Sequence, residues 1–135
     1  MAEPTRVLCV DDSMDIAELY RLLIDAEPDM RCVGVVTDPA DVVATVARTG
    51  ANQVLLDLTM PGPVTPLSVI RALAETSPDV RVVAFSGYDD EATQHAALDA
   101  GAWGFVSKHA GPSDVLDAIR QVATGNISLP GQRRP

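Results

Sequence analysis

Five short apolar runs alternate along this chain with amphipathic stretches of helical period, and that alternation limits the fold more than any other feature. The runs occupy residues 6–10, 32–36, 54–58, 81–85 and 103–107. Each is too short for a core helix and too uniformly aliphatic for a half-exposed strand, so each reads as a strand buried on both faces. Between them, Ser13 caps a helix carrying Ile16, Leu19, Tyr20 and Leu23 toward the core, and Asp38-Pro39 opens a second that buries Val42, Val43 and Val46 before Gly50. Thr65-Pro66 starts a third with Val69, Ile70 and Leu73, and a fifth presents Val115, Leu116, Ile119 and Val122 before Gly125. The fourth, from Glu91 to about Ala100, has mostly alanine at its inward positions, so its packing is expected to be thin.

Strand and helix in strict alternation imply right-handed crossovers and a parallel sheet covered on both faces. The expected fold class is therefore α/β, a five-stranded parallel doubly wound sheet of flavodoxin-like strand order 2-1-3-4-5. In that order the first and third strands are neighbours. Asp11 and Asp12 follow the first, Asp57 ends the third, and Ser86 and Lys108 follow the fourth and fifth. The crevice beyond the carboxyl ends of parallel strands is where such sheets place ligands, so all five residues converge there. Taken alone, Asp57 reads more readily as a strand-ending or helix-capping carboxylate than as a reactive one; its companions reverse that preference.

Clustered carboxylates raise one another's pKa unless a hard cation lies between them. Mg2+ suits such a set, because it accepts a few carboxylate and carbonyl oxygens and completes its octahedron with waters and a phosphate oxygen. Asp57 can then attack phosphorus to form an aspartyl phosphate, with Lys108 and the Ser86 hydroxyl on the phosphoryl oxygens. Lys108 is the only lysine, all other basic residues being arginine. The formal charge of −9 disfavours direct binding of nucleic acid. No apolar run spans a membrane and residues 1–6 lack a signal-peptide pattern, so a cytoplasmic setting without membrane attachment is expected. Cys9 and Cys32 fall within strands and read as reduced, packed thiols.

These residues resemble the response-regulator receiver domains of two-component signalling, most closely those preceding helix-turn-helix transcription regulators. The resemblance runs from about Arg6 to Gly125, through Asp11-Asp12, Leu56-Asp57-Leu58 with Met60-Pro61-Gly62, Ser86-Gly87, and Gly101-Ala102-Trp103-Gly104-Phe105 leading to Lys108. It implies a phosphoacceptor rather than an enzyme. Asp57 would take a phosphoryl group from a phosphohistidine on a sensor histidine kinase or phosphotransfer protein, with Mg2+ ligated by Asp12, Asp57 and the Thr59 backbone carbonyl and Asp11 acting on the metal mainly through water. It further implies that Ser86 and Phe105 form a switch whose movement surfaces on the fourth helix, fifth strand and fifth helix, a possible homodimer face. Thr59 and Tyr88 would modulate hydrolysis, Tyr88 by shielding the acyl phosphate.

The chain departs from the family pattern at His109, where proline is usual, and a trans Lys108–His109 peptide is expected because a cis bond before histidine costs several kcal/mol. Pro63-Val64-Thr65-Pro66 replaces a common Asp-Gly, and a rerouted start of the third helix is expected from it. His95 and His109 have no third ligand nearby in sequence and read as solvated or capping residues. Trp103 has two readings, a ring packed on the sheet edge or an anchor at an interface. Residues 1–125 read as the receiver domain and 126–135 as an irregular tail or the start of a linker. The chain thus reads as the N-terminal part of a DNA-binding transcription regulator; a stand-alone receiver acting by protein contacts and a receiver-like module working without phosphorylation are the alternatives. An aspartate-nucleophile phosphatase would need an acid where Thr59 stands, and a flavodoxin-like cofactor binder would need a phosphate-cradling loop where Asp11 and Asp12 stand.

Overall fold

The computed structural model describes residues 3–88 and 90–130. Its elements run β1 (Thr5–Val10), α1 (Met14–Asp25), β2 (Met30–Val36), α2 (Val42–Thr49), β3 (Gln53–Asp57), α3 (Pro66–Thr76), β4 (Arg81–Ser86), α4 (Glu91–Ala100), β5 (Gly104–Ser107) and α5 (Pro112–Ala123). The five strands form one parallel sheet in the order β2-β1-β3-β4-β5, as the alternation of elements requires.

Because side chains alternate across a strand, each strand feeds two cores. Leu8, Val10, Val54, Leu56, Ala84 and Phe105 pack with Val42, Val69, Ile70 and Leu73 on the α2–α3 side. Val7, Cys9, Leu55, Val83, Phe85 and Val106 pack on the other side with Tyr20 and Ile24 of α1 and Val115, Ile119 and Val122 of α5. Arg120 of α5 ties this second layer to the α1–β2 turn, donating to Asp29 at 2.7 Å and pairing with Glu27. No helix among the described residues is long and apolar enough to cross a membrane.

Three helix faces differ from the sequence expectation. The Ser13 cap, whose side chain accepts from Ile16 N, sets the phase of α1 so that Ala17, Tyr20 and Ile24 turn inward while Ile16 and Leu19 are exposed. A 3-10 turn over Pro39–Asp41, capped by Asp38, delays α2 to Val42, which buries Val42, Thr45 and Val46 and leaves Val43 in solvent. On α5, Ala118 takes an inward place and Leu116 is only partly buried.

α4 buries only Ala97 and Ala100, in keeping with its alanine-rich inner face. It ends at Gly101, whose φ of 120° suits glycine and where a Cβ would lie 3.1 Å from Ala74 Cβ of α3. Thr65 caps α3 by accepting from Ser68 N, so the Pro63–Pro66 segment still delivers an ordinary capped helix. Every described peptide bond is trans, Lys108–His109 included.

Residues 126–130 are irregular, but they are docked. Ser128 pairs with Gly104 as a parallel bridge, its carbonyl accepts from Phe105 N at 2.9 Å and its N–H donates to Trp103 O at 3.0 Å. Leu129 packs against the α2–α3 core. This segment therefore covers the open edge of β5, a use that periodicity cannot reveal because it needs only one residue in register. The rest of the expected tail, residues 131–135, lies outside the described residues. Trp103 resolves in favour of packing: it joins the α1–α5 core and carries the Arg81 guanidinium 4.3 Å above its ring.

Candidate functional site

The register of β1 against β3 pairs Val10 with Leu56, so the residues that follow, Asp11 and Asp57, leave adjacent strands on the same side. Both are buried. A carboxylate so placed must be compensated, and each accepts hydrogen bonds on one oxygen only. Asp57 Oδ1 accepts from Thr59 N at 2.9 Å and from Thr59 Oγ1 at 2.7 Å, while Asp11 Oδ1 accepts from Ser13 N at 2.9 Å. The second oxygens, Asp11 Oδ2 and Asp57 Oδ2, are buried without a hydrogen bond.

Those two oxygens face Lys108. Its Nζ lies 3.1 Å from Asp57 Oδ2 and 3.7 Å from Asp11 Oδ2, within ion-pair reach of both though aligned for a hydrogen bond to neither. Lys108 is aimed there because its backbone N–H donates to Ser86 O at 2.7 Å and its ammonium rests over the Phe85 ring, 5.3 Å from the centroid. Phe85 is itself fixed by an edge contact with Tyr20 at 5.2 Å. Asp12 is exposed at the rim, and one oxygen each of Asp11, Asp12 and Asp57 lie within 4.8 Å of one another.

Burial is the main reason that the Asp11 pKa is raised; the Asp57 and Asp12 charges push the same way, against the Ser13 N–H and Lys108. Two orphaned carboxylate oxygens beside a third carboxylate form an all-oxygen donor set of the kind that suits a hard divalent cation.

A raised native pKa means that the folded state binds the Asp11 proton more tightly than the unfolded chain. Ionised Asp11 therefore costs stability, in full above its native pKa and not at all well below the unfolded value of about 4. In metal-free buffer Asp11→Asn should unfold at higher urea than the parent at pH 7, the gap closing as pH falls to about 4. Added Mg2+ should stabilise the parent more than the variant. A gap that ignores both pH and Mg2+ would refute this account.

Ser86, fully buried, accepts from Tyr88 N at 3.0 Å through its Oγ. Phe105 is buried on β5, and the register pairs Ala84 with Phe105 and Ser86 with Ser107, so Ser86 and Phe105 occupy diagonal places on one face. Of the expected site residues, Asp11, Asp12, Asp57 and Lys108 meet directly; Thr59 joins them as a donor to Asp57; Ser86 and Phe105 form an adjoining pair. Tyr88 stands apart, a residue 67% exposed. His95 and His109 are exposed and outside the cluster. Sequence reasoning missed Ser13 as the donor to Asp11, and Phe85 and Tyr20 as the aromatic support under Lys108. The first carried a signal, since an Asp two residues before a capping Ser sets up such a turn; the others follow only from strand order.

The chain matches the response regulator receiver domain model over residues 7–120. The nitrate/nitrite response regulator protein NarL of Escherichia coli K12 is 32% identical over 127 residues, covering 94% of this chain and 58% of NarL. The transcriptional regulatory protein UhpA of Salmonella typhimurium LT2 is 28% identical over 91% of this chain and 61% of its own length. The chain thus spans less than two thirds of these curated relatives. Among solved structures, a LuxR-family two-component response regulator from an Aurantimonas species superposes with a TM-score of 0.87 at 28% identity, covering 93% of this chain and 89% of that one. The receiver domain of a NarL response regulator from Mycobacterium tuberculosis gives 0.85 at 26%, covering 93% and 100%. With five parallel strands in the order 2-1-3-4-5 and an acidic pocket facing one lysine, the chain belongs to the response regulator receiver domain family, of the type found in NarL and LuxR regulators.

Proposed function

We propose that Asp57 is the phosphoacceptor of this receiver and that its donor is a phosphohistidine on a sensor histidine kinase or phosphotransfer protein. The observation that carries this reading is the division of labour on Asp57: Thr59 holds Oδ1, leaving the buried Oδ2 beside Lys108 Nζ at 3.1 Å. Oδ2 attacks phosphorus, the P–N bond to the imidazole breaks, and the leaving nitrogen keeps the electron pair. Lys108 offsets the charge on the phosphoryl oxygens, and Ser86 Oγ, released from Tyr88 N, supplies a further hydrogen bond. Asp11, Asp12, Asp57 and the Thr59 carbonyl would hold Mg2+, which neutralises charge between carboxylates and phosphoryl group.

Withdrawal of Ser86 toward the phosphoryl group removes support beside Phe105, because the two share one sheet face. The repacking then reaches α4, β5 and α5, where α4 has the least buried apolar surface to resist it. That face is our candidate for homodimer contacts. In this reading the chain is the N-terminal, cytoplasmic part of a DNA-binding transcription regulator and does not itself bind DNA, which its net charge of −9 disfavours. Incubation with Mg2+ and a small phosphodonor should add one phosphoryl group by intact mass, and chelation should abolish the gain. No gain with metal present would overturn the proposal.

Tyr88 stands outward here, so the shielding expected of it requires the ring to swing over the pocket once Oγ of Ser86 lets its backbone go. Tyr88→Ala should then lose the phosphoryl group several-fold faster than the parent, measured as decay of the phosphorylated mass after donor removal. Equal decay rates would leave the ring without that role.

A further inference from the structure

Cys9 on β1 and Cys32 on β2 take no part in the acceptor site, yet their sulfurs lie only 3.7 Å apart. Cys32 pairs with Val7, which shares a face of β1 with Cys9, so the two cysteines are diagonal neighbours in the same core layer. β1 and β2 pair Val7 with Cys32 but Leu8 with Gly34, so Val33 is an extra, bulged residue. A bulge bends its strand and re-aims the neighbouring side chains. Next to the bulge, the Cys32 thiol donates to Gly34 O at 3.1 Å and lies beside the Cys9 sulfur. Cys9 is buried, whereas Cys32 lies partly open on the outer strand of the sheet.

We propose that Cys9 and Cys32 are an oxidisable dithiol: a hydroperoxide oxidises Cys32, and Cys9 resolves the product into an intramolecular disulfide joining β1 to β2. The Cys32 thiolate attacks the terminal peroxide oxygen and the O–O bond breaks, giving a sulfenic acid while the leaving oxygen takes a proton and departs as an alcohol, or as water where the oxidant is hydrogen peroxide. Cys9 sulfur then attacks Cys32 sulfur, the S–O bond breaks and the sulfenic oxygen leaves as water with the Cys9 proton. The two thiols lose two protons and two electrons together, and the peroxide is reduced. Bonding requires the sulfurs to close from 3.7 Å to about 2.05 Å. The extra residue at Val33 gives β2 slack for that movement. The order of events follows from access, since an oxidant reaches Cys32 before Cys9. The Cys9 sulfur beside it holds the Cys32 thiol below the ordinary thiol range, against the effect of burial, which favours Cys32 as the attacking sulfur.

The chain treated with hydrogen peroxide under native conditions should lose two hydrogens by intact mass and resist alkylation at both cysteines until dithiothreitol is added. After trypsin, residues 7–21 and 32–48 should appear as one cross-linked peptide. Cys9→Ser should stop at a sulfenic acid on Cys32, trapped by dimedone. Cys32→Ser should leave Cys9 unmodified until the chain is unfolded. The parent measurement stands whether or not either variant folds. Oxygen addition without hydrogen loss in the parent, a disulfide between two chains, or no reaction would each overturn the proposal.

Discussion

Asp57→Asn is expected to gain no phosphoryl group from a small phosphodonor and Mg2+, under conditions in which the parent is labelled. The amide keeps the shape of the side chain and can still accept from Thr59 N and Oγ1 through its oxygen, so the loop after β3 should be unchanged. What it lacks is the second carboxylate oxygen, the atom that faces Lys108. No neighbour can replace it. Asp11 is equally buried, but its Oδ2 lies farther from Lys108, at 3.7 Å, and Asp12 is at the exposed rim without that counter-charge. Removing one of two facing like charges also offsets the loss of one Lys108 pair, so the variant should remain folded by circular dichroism. Labelling of Asp57→Asn at the parental rate would place the acceptor elsewhere and remove the basis for the switch.

The second large effect is on stability. Phe105→Ala should cost about 3–5 kcal/mol in urea unfolding, the range for an aromatic ring deleted from a close-packed core. Phe105 is 1% exposed and among the largest fully buried side chains. It sits where β5 is only Gly104–Ser107, with Gly104 itself held between Val122 and Val83. So short a strand cannot collapse around the void without losing Ser128, whose carbonyl accepts from Phe105 N. Total stability of a domain this size is about 5–15 kcal/mol, so the loss is a large fraction. Phe105→Leu should keep most of it, falling within about 1.5 kcal/mol of the parent. If Phe105→Ala proves as mild, the ring is not a packing anchor, and its coupling to Ser86 loses its physical basis. A folded Phe105→Leu that is labelled normally yet shows no change on α4, β5 and α5 by hydrogen exchange would separate the switch from the fold.

The positions that sequence reading placed correctly are those where a local rule acts alone. Short aliphatic runs gave the strands, Thr65-Pro66 gave the start of α3, and Gly101 gave the end of α4. Helix faces were less legible, because a one-residue change in phase rotates the whole stripe by about 100°. Thus Ile16 and Leu19 were expected inside and lie outside, while the 3-10 turn before α2 exposed Val43. At the site, residue identities were readable and their support was not. Nothing near Lys108 in sequence points to Phe85 beneath it, or to Tyr20 against Phe85; those contacts join β5, β4 and α1.

Alternating period and breaker residues, both local properties, determined by themselves that this chain forms an α/β sheet with its acids, hydroxyl and lysine at strand ends. The tertiary structure alone decided which oxygen of each buried acid faces Lys108 without a hydrogen bond, that Ser128 closes the β5 edge, and that Cys32 meets Cys9 across β1 and β2. These outcomes depend on register between strands far apart in the chain. A shift of one residue there reverses which side chains meet, and no stretch of sequence read in isolation carries that information.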